Sequence, residues 1–378
     1  MTGDRSARAA QAANSLHSNA ASTSTASSDL SGRVIQWQRR HGRHALPWQG
    51  TRDPYRVWLS EIMLQQTQVS TVMGYYDRFL KRFPDVAALA SASLDDVLAL
   101  WSGLGYYSRA RHLHRCAQAV VSEHGGRFPP SSRALATLPG IGRSTAAAIA
   151  AFCFGERVAI LDGNVKRVLS RALGFAGDLA ELQSERALWQ RADELLPHEH
   201  IEAYTQGLMD LGATVCTLRQ PACGACPLAS SCVAHAQGRP TAFPVKTRKT
   251  RRHRRENRLL WLVQRDQVWL VQRPAVGVWA GLWSFAEWAD EAALDAATAG
   301  WPGEGRLLTP IVHVLTHRDW TLRPLFWRWP DRLSGPRQAR LEAQLPAGRW
   351  HTLPGALALG LPMPIRRWLT GGPDLDAE

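Results

Sequence analysis

The sequence of 378 residues lacks any apolar run that approaches the about 20 residues needed by a membrane-spanning helix. Its first 30 residues also lack the apolar segment of a secretory signal peptide. These absences exclude an integral membrane protein, give no reason to expect a membrane partner, and favour the cytoplasm. The same 30 residues are rich in Ser, Ala, Thr and Asn, which bury too little surface to fold, so we predict a disordered tail over residues 1–30.

Acidic residues are scarce beside basic ones, with 32 Asp and Glu against 45 Lys and Arg and a formal net charge of +13. The resulting pI of about 10.1 favours a polyanionic partner, because cations on a protein attract phosphates and release their counterions. Membrane-surface and ribosomal proteins are basic too. The charge alone therefore leaves DNA and RNA as two of several alternatives.

Strand-like alternation of apolar and polar residues is absent from about Gly32 to Ala236, where nearly every segment has helical spacing. This pattern predicts an all-α domain over residues 31–238. The segment "VKTRKTRRHRRENR", residues 245–258, then carries eight Lys or Arg. We predict an exposed linker over residues 239–257, which either follows a phosphate backbone or is a solvated hinge.

The part of the chain beyond this basic run has a different pattern. The stretch "RLLWLVQRDQVWLVQRP" contains two apolar segments around a short polar turn, which predicts a β-hairpin. The stretch "WTLRPLFWRWP" is a further strand candidate. Together they predict a separate α+β domain over residues 258–370, followed by a short disordered tail over residues 371–378.

Cysteine is rare, with six residues, but four of them lie within 17 positions as C-x6-C-x2-C-x5-C. Such a group favours a metal site over disulfides, which a reducing cytoplasm disfavours. Zinc ribbons usually pair two CxxC motifs across a longer gap. The single CxxC here suits a compact iron–sulfur cubane better, with zinc as the alternative. The predicted ligands are Cys216, Cys223, Cys226 and Cys232, whereas Cys116 and Cys153 are expected to be buried small residues.

The stretch "LPGIGRSTAAAIA", residues 138–150, places Gly140 and Gly142 just before Ser144 at the start of a helix. Backbone amides at such a start can bind an anion with help from the helix dipole. Because the turn follows a helix and not a strand, it is typical of a helix–hairpin–helix, here over about residues 136–150, which grips a nucleic-acid backbone without reading its sequence. The alternative is a tight turn between helices with no ligand.

Two acidic residues are candidates for chemistry. Glu61 in "PYRVWLSEIMLQQTQV" has mostly apolar neighbours, so its pKa should be raised and it could act as a general acid, unless the position is solvated. Asp162 in "ILDGNVKRVLSRALG" precedes a helix and, taken alone, is better explained as its N-cap than as a catalytic group. On that helix we expect Lys166, Arg167 and Arg171 to form a solvated or phosphate-facing stripe.

Taken together, "LPGIGRST", the Asp that follows it and the cysteine spacing resemble the endonuclease III superfamily of DNA glycosylases. Within it, "WLSEIMLQQTQV", "GLGYYSRAR", "ILDGNVKRV" and "MDLGATVC" are similar to the MutY adenine DNA glycosylases, which remove adenine mispaired with 8-oxoguanine. The similarity covers about residues 33–236, and the C-terminal domain more weakly resembles the family's Nudix-like 8-oxoguanine recognition domain. The implied fold is α+β and multidomain: an all-α helix–hairpin–helix glycosylase core with one 4Fe–4S cluster in the loop 216–232, then a Nudix-like α+β domain.

The resemblance also implies the reaction, on double-stranded DNA that contains adenine opposite 8-oxoguanine or guanine, with the enzyme acting as a monomer. Glu61 matches the donor of a proton to adenine N7, Asp162 matches the group that stabilises the oxocarbenium ion, and Asn164 would orient them. In bifunctional relatives a lysine stands at the position of Ser144 and forms a Schiff base, so Ser144 predicts base removal without an efficient lyase step. The adenine must be rotated out of the duplex. The residues expected to contact DNA are Gln66, Thr67 and Tyr106, which fill or wedge the gap, and Gly140, Gly142 and Ser144 of the hairpin.

The C-terminal domain departs from two patterns of its relatives. Active Nudix hydrolases carry G-x5-E-x7-R-E-x2-E-E; Gly281 and Glu287 fit the first part, but Asp295-Ala296 stands where Arg-Glu belongs. Nucleotide hydrolysis is therefore not expected. The family's Phe-Ser-His loop, which inspects 8-oxoguanine, is here Leu315-Thr316-His317. This loop keeps a hydroxyl and the histidine but loses the aromatic face, which predicts weaker discrimination against guanine.

Three alternatives stay open: a bifunctional endonuclease III-like pyrimidine-lesion glycosylase and lyase, a non-catalytic iron–sulfur protein that binds DNA or senses redox state, and a nucleotide hydrolase. Ser144 and the C-terminal domain count against the first. The presence of both Glu61 and Asp162 counts against the second, and the incomplete Nudix motif counts against the third. The expected place of action is the cytoplasm, with the DNA of the nucleoid.

Overall fold

The structure, a computed structural model, describes residues 29–247 and 252–373. The chain divides into two compact units: the first contains the described residues up to Gln65 and from Arg127 to 247, and the second contains Gln66–Gly126 and residues 252–373. These units do not follow the predicted division into domains, which stays a prediction. The predicted tails and linker lie partly outside the described residues, at 1–28, 248–251 and 374–378.

The part of the chain over residues 29–247 is helical, and no strand occurs among these described residues. The first helix includes residues 29 and 30, because Leu30 is buried in the core, so the predicted N-terminal tail extends two residues too far. In the described part of the chain, no helix is long and apolar enough to cross a membrane. The helices are α1 (29–41), α2 (Pro54–Leu64), α3 (Val69–Arg82), α4 (Val86–Ser91), α5 (Leu94–Trp101), α6 (Ser108–His124), α7 (Ser132–Leu135), α8 (Arg143–Phe154), α9 (Gly163–Leu173), α10 (Leu182–Glu194), α11 (Ile201–Thr214) and α12 (Val233–Ala236).

The core of the first unit forms around α8, whose run of small residues from Thr145 to Ala151 is buried. Alanine side chains allow neighbouring helices to approach closely, and α2 and α11 both pack on α8. The apolar faces of α9, α10 and α11 complete the core with residues such as Leu169, Leu188 and Leu211. This packing brings α2, the start of α8 and the start of α9 into one neighbourhood.

The helices of the second unit, α3 to α6, begin and end at residues with capping geometry. The stretch "DVAALASASLDDVLALW" forms two helices, α4 and α5, because Ser93 accepts a hydrogen bond from Asp96 N and starts a new helix. Asp85 caps α4 by accepting from Ala88 N, and Gly125 ends α6 in the left-handed conformation.

The C-terminal part of the second unit is an eight-stranded sheet with four helices among its described residues. The strand order is β3-β2-β1-β7-β5, with β4 paired to β1, β6 to β7 and β8 to β2. Strands β1 and β7 are parallel and paired from His253↔Arg318 to Val263↔Arg328. The elements are β1 (His253–Gln264), β2 (Gln267–Gln272), β3 (Trp283–Ser284), β4 (Ala286–Trp288), α13 (Glu291–Thr298), β5 (Glu304–Leu307), β6 (Ile311–Leu315), β7 (Arg318–Arg328), α14 (Gly335–Glu342), β8 (Gly348–Thr352), α15 (Leu353–Leu357) and α16 (Met363–Gly371).

The predicted hairpin is confirmed, since β1 and β2 are antiparallel with Gln264 opposite Gln267. The predicted linker, however, ends too late, because residues 253–257 already belong to β1. Their charged side chains stay exposed while the backbone pairs with β7, and Asn257 is buried, where it accepts a hydrogen bond from Trp320 Nε1 at 2.7 Å. Similarly, residue 371 of the predicted C-terminal tail is the last residue of α16.

Candidate active site

Glu61 lies near the C-terminal end of α2, a helix that Asp53 caps by accepting from Tyr55 N. Its helix neighbours Ser60 and Ile62 are buried, and Glu61 itself is only partly exposed. Burial raises the pKa of the Glu61 carboxyl to about 8, and the negative charge of Asp162 adds to the rise. At neutral pH this carboxyl is therefore mainly protonated, which is the state of a proton donor.

Asp162 is the N-cap of α9, and its Oδ1 accepts a hydrogen bond from Val165 N at 2.7 Å. Burial raises the pKa of Asp162, while the backbone amides of Val165 and Asn164 and the charge of Arg167 lower it. The prediction that Asp162 is an N-cap is thus confirmed. This capping role does not exclude a chemical role, because the same carboxylate acts electrostatically on Glu61.

Ser144 and its neighbour in α8 connect the segments that carry the two acids. The Oγ of Ser144 accepts a hydrogen bond from Leu161 N at 3.0 Å, one residue before Asp162. The hydroxyl of Thr145 lies 3.4 Å from Nε2 of Gln65, just beyond the end of α2. The start of α8 therefore holds the approach to α9 on one side and the end of α2 on the other.

Asn164 is oriented by a contact that the sequence did not reveal. Its Oδ1 accepts a hydrogen bond from Arg167 Nη2 at 2.8 Å, and Arg167 Nε donates to the carbonyl oxygen of Cys216 at 2.7 Å. A Cβ on Gly212 would lie 2.6 Å from Cβ of Asn164, so glycine is needed for α11 to approach α9 this closely. The arrangement connects the first turn of α9 with the first of the clustered cysteines.

The predicted stripe of cations on α9 is wrong. Lys166 pairs with Glu185, Arg167 is partly buried, and the side chain of Arg171 is almost fully buried at 2% exposure. Arg171 donates four hydrogen bonds to backbone carbonyl oxygens, and its Nη1 lies 3.3 Å from Sγ of Cys216. The carbonyls are those of Cys216, Thr217, Leu218 and Phe243. Arg167 and Arg171 thus hold the backbone of the cysteine loop, residues 216–232, and Arg171 does not face solvent.

The four clustered cysteines are all partly buried and without disulfides. Burial raises the pKa of the Cys226 thiol to about 11, and the three other cysteines contribute to the rise, which places them in one neighbourhood. Among the described residues, no three His, Cys, Asp or Glu side chains lie close enough to hold a single metal ion. Four thiols are the ligand set that a 4Fe–4S cluster takes, and zinc can take the same set.

The two remaining cysteines differ from the clustered four. Cys116 is buried as predicted, whereas Cys153 is only partly buried. Burial raises the pKa of both thiols to about 12. Both are therefore protonated at neutral pH, and neither lies within the cysteine loop.

The predicted helix–hairpin–helix consists of α7 and α8, which are joined by a turn in which Gly140 has φ +78°. Such a backbone conformation favours glycine. The guanidinium of Arg143, at the start of α8, stacks at 3.8 Å from the Trp189 ring centroid and pairs with Asp193 at 3.3 Å. The first turn of α8 is thus fixed against α10. Binding of a phosphate by the backbone amides of this turn stays a prediction.

In the second unit, Gln66 and Tyr106 both have positive φ, at 58° and 46°, which is unusual for residues other than glycine and is often found at functional sites. Arg109, which the sequence did not single out, connects the predicted DNA contacts. Its Nη2 donates to Thr67 Oγ1 at 3.1 Å, and its guanidinium lies 5.5 Å from the centroid of the Tyr106 ring. Burial lowers the pKa of Arg109 to about 10, so it stays charged at neutral pH.

The recognition turn, Leu315-Thr316-His317, joins β6 to β7. Leu315 pairs with Arg318, which leaves Thr316 and His317 as a two-residue turn. The hydroxyls of Thr316 and Tyr106 lie 3.1 Å apart and form a hydrogen bond. The structure therefore brings the predicted wedge and the predicted recognition residues together within the second unit.

The incomplete Nudix motif has lost its free carboxylate as well as its acidic partners. Glu287 pairs with Arg255 at 3.0 Å and also with Arg273. Glu287, which fits the first part of the motif, is thus paired with two guanidinium groups. The absence of nucleotide hydrolysis stays a prediction.

Comparisons with known proteins found a matching family for the helical part of the chain and another for its C-terminal part. Residues 59–194 match the HhH-GPD superfamily of base excision DNA repair proteins, and residues 258–371 match the NUDIX domain. A protein of Buchnera aphidicola subsp. Baizongia pistaciae named adenine DNA glycosylase is 33% identical over 347 residues, which cover 89% of this chain and 95% of that protein. The protein of the same name from Rattus norvegicus is 44% identical over 223 residues, 56% of this chain and 43% of its own.

A solved structure supports the fold of the helical part. The structure of a thermostable thymine-DNA glycosylase matches with a TM-score of 0.52 and 29% identity, over 57% of this chain and 99% of that chain. Together with the NUDIX match and the observed sheet, this confirms the predicted α+β architecture of a helical glycosylase core followed by a Nudix-like domain.

Proposed function

Because the chain belongs to the adenine DNA glycosylase family of base excision repair enzymes, we propose that it removes adenine paired with 8-oxoguanine or guanine from duplex DNA. It hydrolyses the N-glycosidic bond and leaves an abasic site. The observation that carries this proposal is the coupled pair of carboxyls on α2 and at the start of α9, in which burial and then the negative charge of Asp162 raise the pKa of Glu61.

The two carboxyls have different tasks in the proposed reaction. Adenine is a poor leaving group as an anion, so Glu61 donates its proton to N7 while the bond between C1′ and the base breaks. The carboxylate of Asp162 stabilises the oxocarbenium ion that develops on the sugar, either as an ion pair or through a transient covalent bond. Water then attacks C1′. The adenine reaches these groups only after rotation out of the duplex.

Ser144 supports a reaction without strand cleavage. A lyase step needs an amine that can form a Schiff base with the sugar, and a hydroxyl cannot do so. The Oγ of Ser144 is moreover occupied as an acceptor for Leu161 N. We therefore expect the enzyme to be monofunctional, which disfavours the bifunctional pyrimidine-lesion alternative.

Recognition of 8-oxoguanine is assigned to the recognition turn. The contact of Thr316 with Tyr106 supports this assignment, because a wedge that enters the duplex would bring the turn to the opposing base. Thr316 and His317 offer hydrogen-bonding groups to base edges. Leu315 offers no aromatic face, so we expect weaker discrimination between 8-oxoguanine and guanine than a Phe-Ser-His turn would give.

The cysteine loop is proposed to hold one 4Fe–4S cluster through Cys216, Cys223, Cys226 and Cys232. When bound, the cluster supplies iron–thiolate bonds that fix the fold of this loop. Arg171 and Arg167 hold the carbonyl of Cys216 from the side of α9, and Arg167 also contacts Asn164. A loop fixed in this way keeps the start of α9, and with it Asp162, in place.

The proposed partner is duplex DNA, which fits the excess of basic residues. We propose that the protein acts as a monomer, because each of the named residues is supplied by a single chain. We also propose that it acts in the cytoplasm with the DNA, since its substrate is found there.

One assay separates this function from its alternatives. Purified protein is incubated with duplexes containing adenine opposite 8-oxoguanine, adenine opposite guanine, or an oxidised pyrimidine, with the target strand labelled. We expect cleavage of the adenine strand only after alkali, which reveals abasic sites. Cleavage without alkali would indicate a lyase, activity on the pyrimidine duplex would indicate the first alternative, and binding without excision would indicate a non-catalytic protein. Hydrolysis of 8-oxo-dGTP with Mg²⁺ would indicate the third alternative, a nucleotide hydrolase.

Substitutions of the two acids test the mechanism in the same assay. Glu61→Gln and Asp162→Asn are each expected to abolish excision while DNA affinity stays near that of the wild type. Both changes are nearly isosteric, so they remove a proton or a charge without removing packing. Full turnover by either variant would exclude that residue from the mechanism.

A further inference from the structure

The recognition turn is anchored to a second strand besides its own hairpin. The backbone N–H of His253, the first residue of β1, donates to the carbonyl oxygen of His317 at 3.0 Å. In the parallel register that follows, His253 pairs with Arg318 and Arg254 with Asp319. The basic segment that enters the C-terminal sheet therefore arrives directly beside the turn.

Four basic residues surround this anchor, and we call them the basic strip: His253 and Arg318 on one face of the sheet, and Arg252 and Arg254 on the other face, with Asp319. Arg252, His253 and Arg254 are exposed and Arg318 is partly exposed. In the described part of the chain, the ion pair found in the strip joins Arg252 to Asp319 at 3.8 Å. Three arginines against one carboxylate leave an excess of two positive charges at neutral pH.

The charges next to the strip do not cancel this excess. Arg255, the next residue of β1, pairs with Glu287, and Glu287 is shared with Arg273. Glu256 faces the other two arginines of its neighbourhood, Arg258 and Arg323. In the sequence, residues 246–251, which precede the strip, include four Lys or Arg. No acidic residue interrupts that run, so the strip continues a longer basic segment.

We propose that the basic strip binds the backbone phosphates next to 8-oxoguanine, on the strand opposite the adenine that is removed. This inference rests on the proposed function, because it takes the recognition turn to contact the 8-oxoguanine base. Neighbouring strands lie about 4.8 Å apart, and one DNA strand carries a phosphate every 3.4 Å along the axis. Cations one or two positions from a turn at the base edge are therefore within reach of the phosphates that flank that base.

The strip suits this ligand because arginine pairs with phosphate oxygens through a planar fork of donors. Phosphate contacts position a protein on DNA, whereas base-edge contacts specify the sequence. The strip would thus supply affinity and register, and Thr316 and His317 would supply specificity. The anchor at His253 makes the two parts move together, since β1 and the turn share a hydrogen bond.

The test is the salt dependence of binding by the full-length protein to a duplex with adenine opposite 8-oxoguanine. The double variant Arg254→Gln/Arg318→Gln removes two charges from the strip. If each arginine contacts one phosphate, the slope of log K against log salt falls by about one for each contact, and affinity at low salt falls by about tenfold or more. The matched control is Arg337→Gln/Arg340→Gln, which removes two exposed charges from α14.

The control lies at the opposite end of the same sheet. Leu341 of α14 packs in a cluster with Leu325 and Trp329, at the far end of β7 from Arg318. For the control variant, the slope of log K against log salt is expected to equal that of the wild type. A second variant, Asp319→Asn, removes the carboxylate of the strip without removing a cation. It is expected to bind more tightly and to increase the slope, which keeps the proposal testable if the double variant folds poorly.

Neutral methylphosphonate linkages identify the strand. Placed on both sides of 8-oxoguanine, they should weaken wild-type binding but cause little further loss in the double variant; placed around the adenine, they should weaken both proteins equally. Equal slopes for the wild type, the double variant and the control would overturn the proposal, and so would additive losses with the modified 8-oxoguanine strand. If the wild type fails to excise adenine in parallel, the proposed function fails instead, which is a separate outcome.

Discussion

Replacing Glu61 by Gln should make the protein more stable while removing its activity. The Glu61 pKa of about 8, against 4.5 for an unperturbed carboxyl, corresponds to about 5 kcal/mol of additional cost for ionising this group in the folded protein. Glutamine keeps the shape and the hydrogen-bonding capacity of the protonated acid. It has no proton to lose, so it avoids this cost.

The size of the effect depends on pH in a defined direction. Below about pH 4.5 the carboxyl is protonated in both the folded and the unfolded chain, and the stabilities of wild type and Glu61→Gln should agree closely. Between about pH 4.5 and 8 only the unfolded chain ionises, so the wild type loses about 1.4 kcal/mol per pH unit relative to the variant. The expected difference in free energy of unfolding is about 3 kcal/mol at pH 7, and it levels off above about pH 8.

The measurement is urea unfolding of the full-length protein at pH 5, 6, 7 and 8, followed by tryptophan fluorescence. The matched control is Glu199→Gln in the same unit, because the Glu199 side chain is 85% exposed. The control should follow the wild type at every pH. A stability gap that does not grow with pH, or one of equal size for both variants, would refute the claim that Glu61 is held protonated by its surroundings.

Three further predictions concern the other acid, the cysteine loop and the recognition turn. Asp162→Asn keeps an oxygen that can accept from Val165 N, so its unfolding midpoint should stay near that of the wild type, whereas Asp162→Ala should lose about 1 kcal/mol with the cap; equal loss in both would contradict this role. Arg171→Met leaves four backbone carbonyls without their donor, so the purified protein should contain less iron and show weaker visible iron–thiolate absorption, with Arg186→Met on the exposed surface of α10 as control. His317→Ala should lower the ratio of single-turnover excision rates opposite 8-oxoguanine and guanine, and an unchanged ratio would dismiss its assignment.

The features that depend on near neighbours in the chain could be predicted from the sequence. The raised pKa of Glu61 follows from its apolar neighbours, and the hairpin of β1 and β2 follows from two apolar segments around a polar turn. The cysteine spacing predicted the loop that gathers the four thiols. In each of these cases the evidence lies within about 20 residues.

The features that depend on distant segments could not be predicted. Arg171 looks like a surface cation on α9, and only the cysteine loop, 45 residues further on, shows why it is buried. The start of β1 looks like a linker because of its charges. Its strand conformation depends on pairing with β7, which begins at Arg318. A charged residue gives a clear signal of exposure only when no distant backbone offers it acceptors.

The two carboxyls differ in what each one contacts. Burial raises the pKa of Asp162, but the amides of Val165 and Asn164 and the positive charge of Arg167 act against that rise. Burial raises the pKa of Glu61 to about 8, and the negative charge of Asp162 adds to the rise. The surroundings thus favour the ionised form more at Asp162 than at Glu61, which suits Glu61 to donate a proton. Excision should decline about tenfold per pH unit above about 8, because Glu61 then enters the reaction without its proton. A pH–rate profile that stays flat from pH 7 to 10 under single-turnover conditions would show that the proton comes from another group.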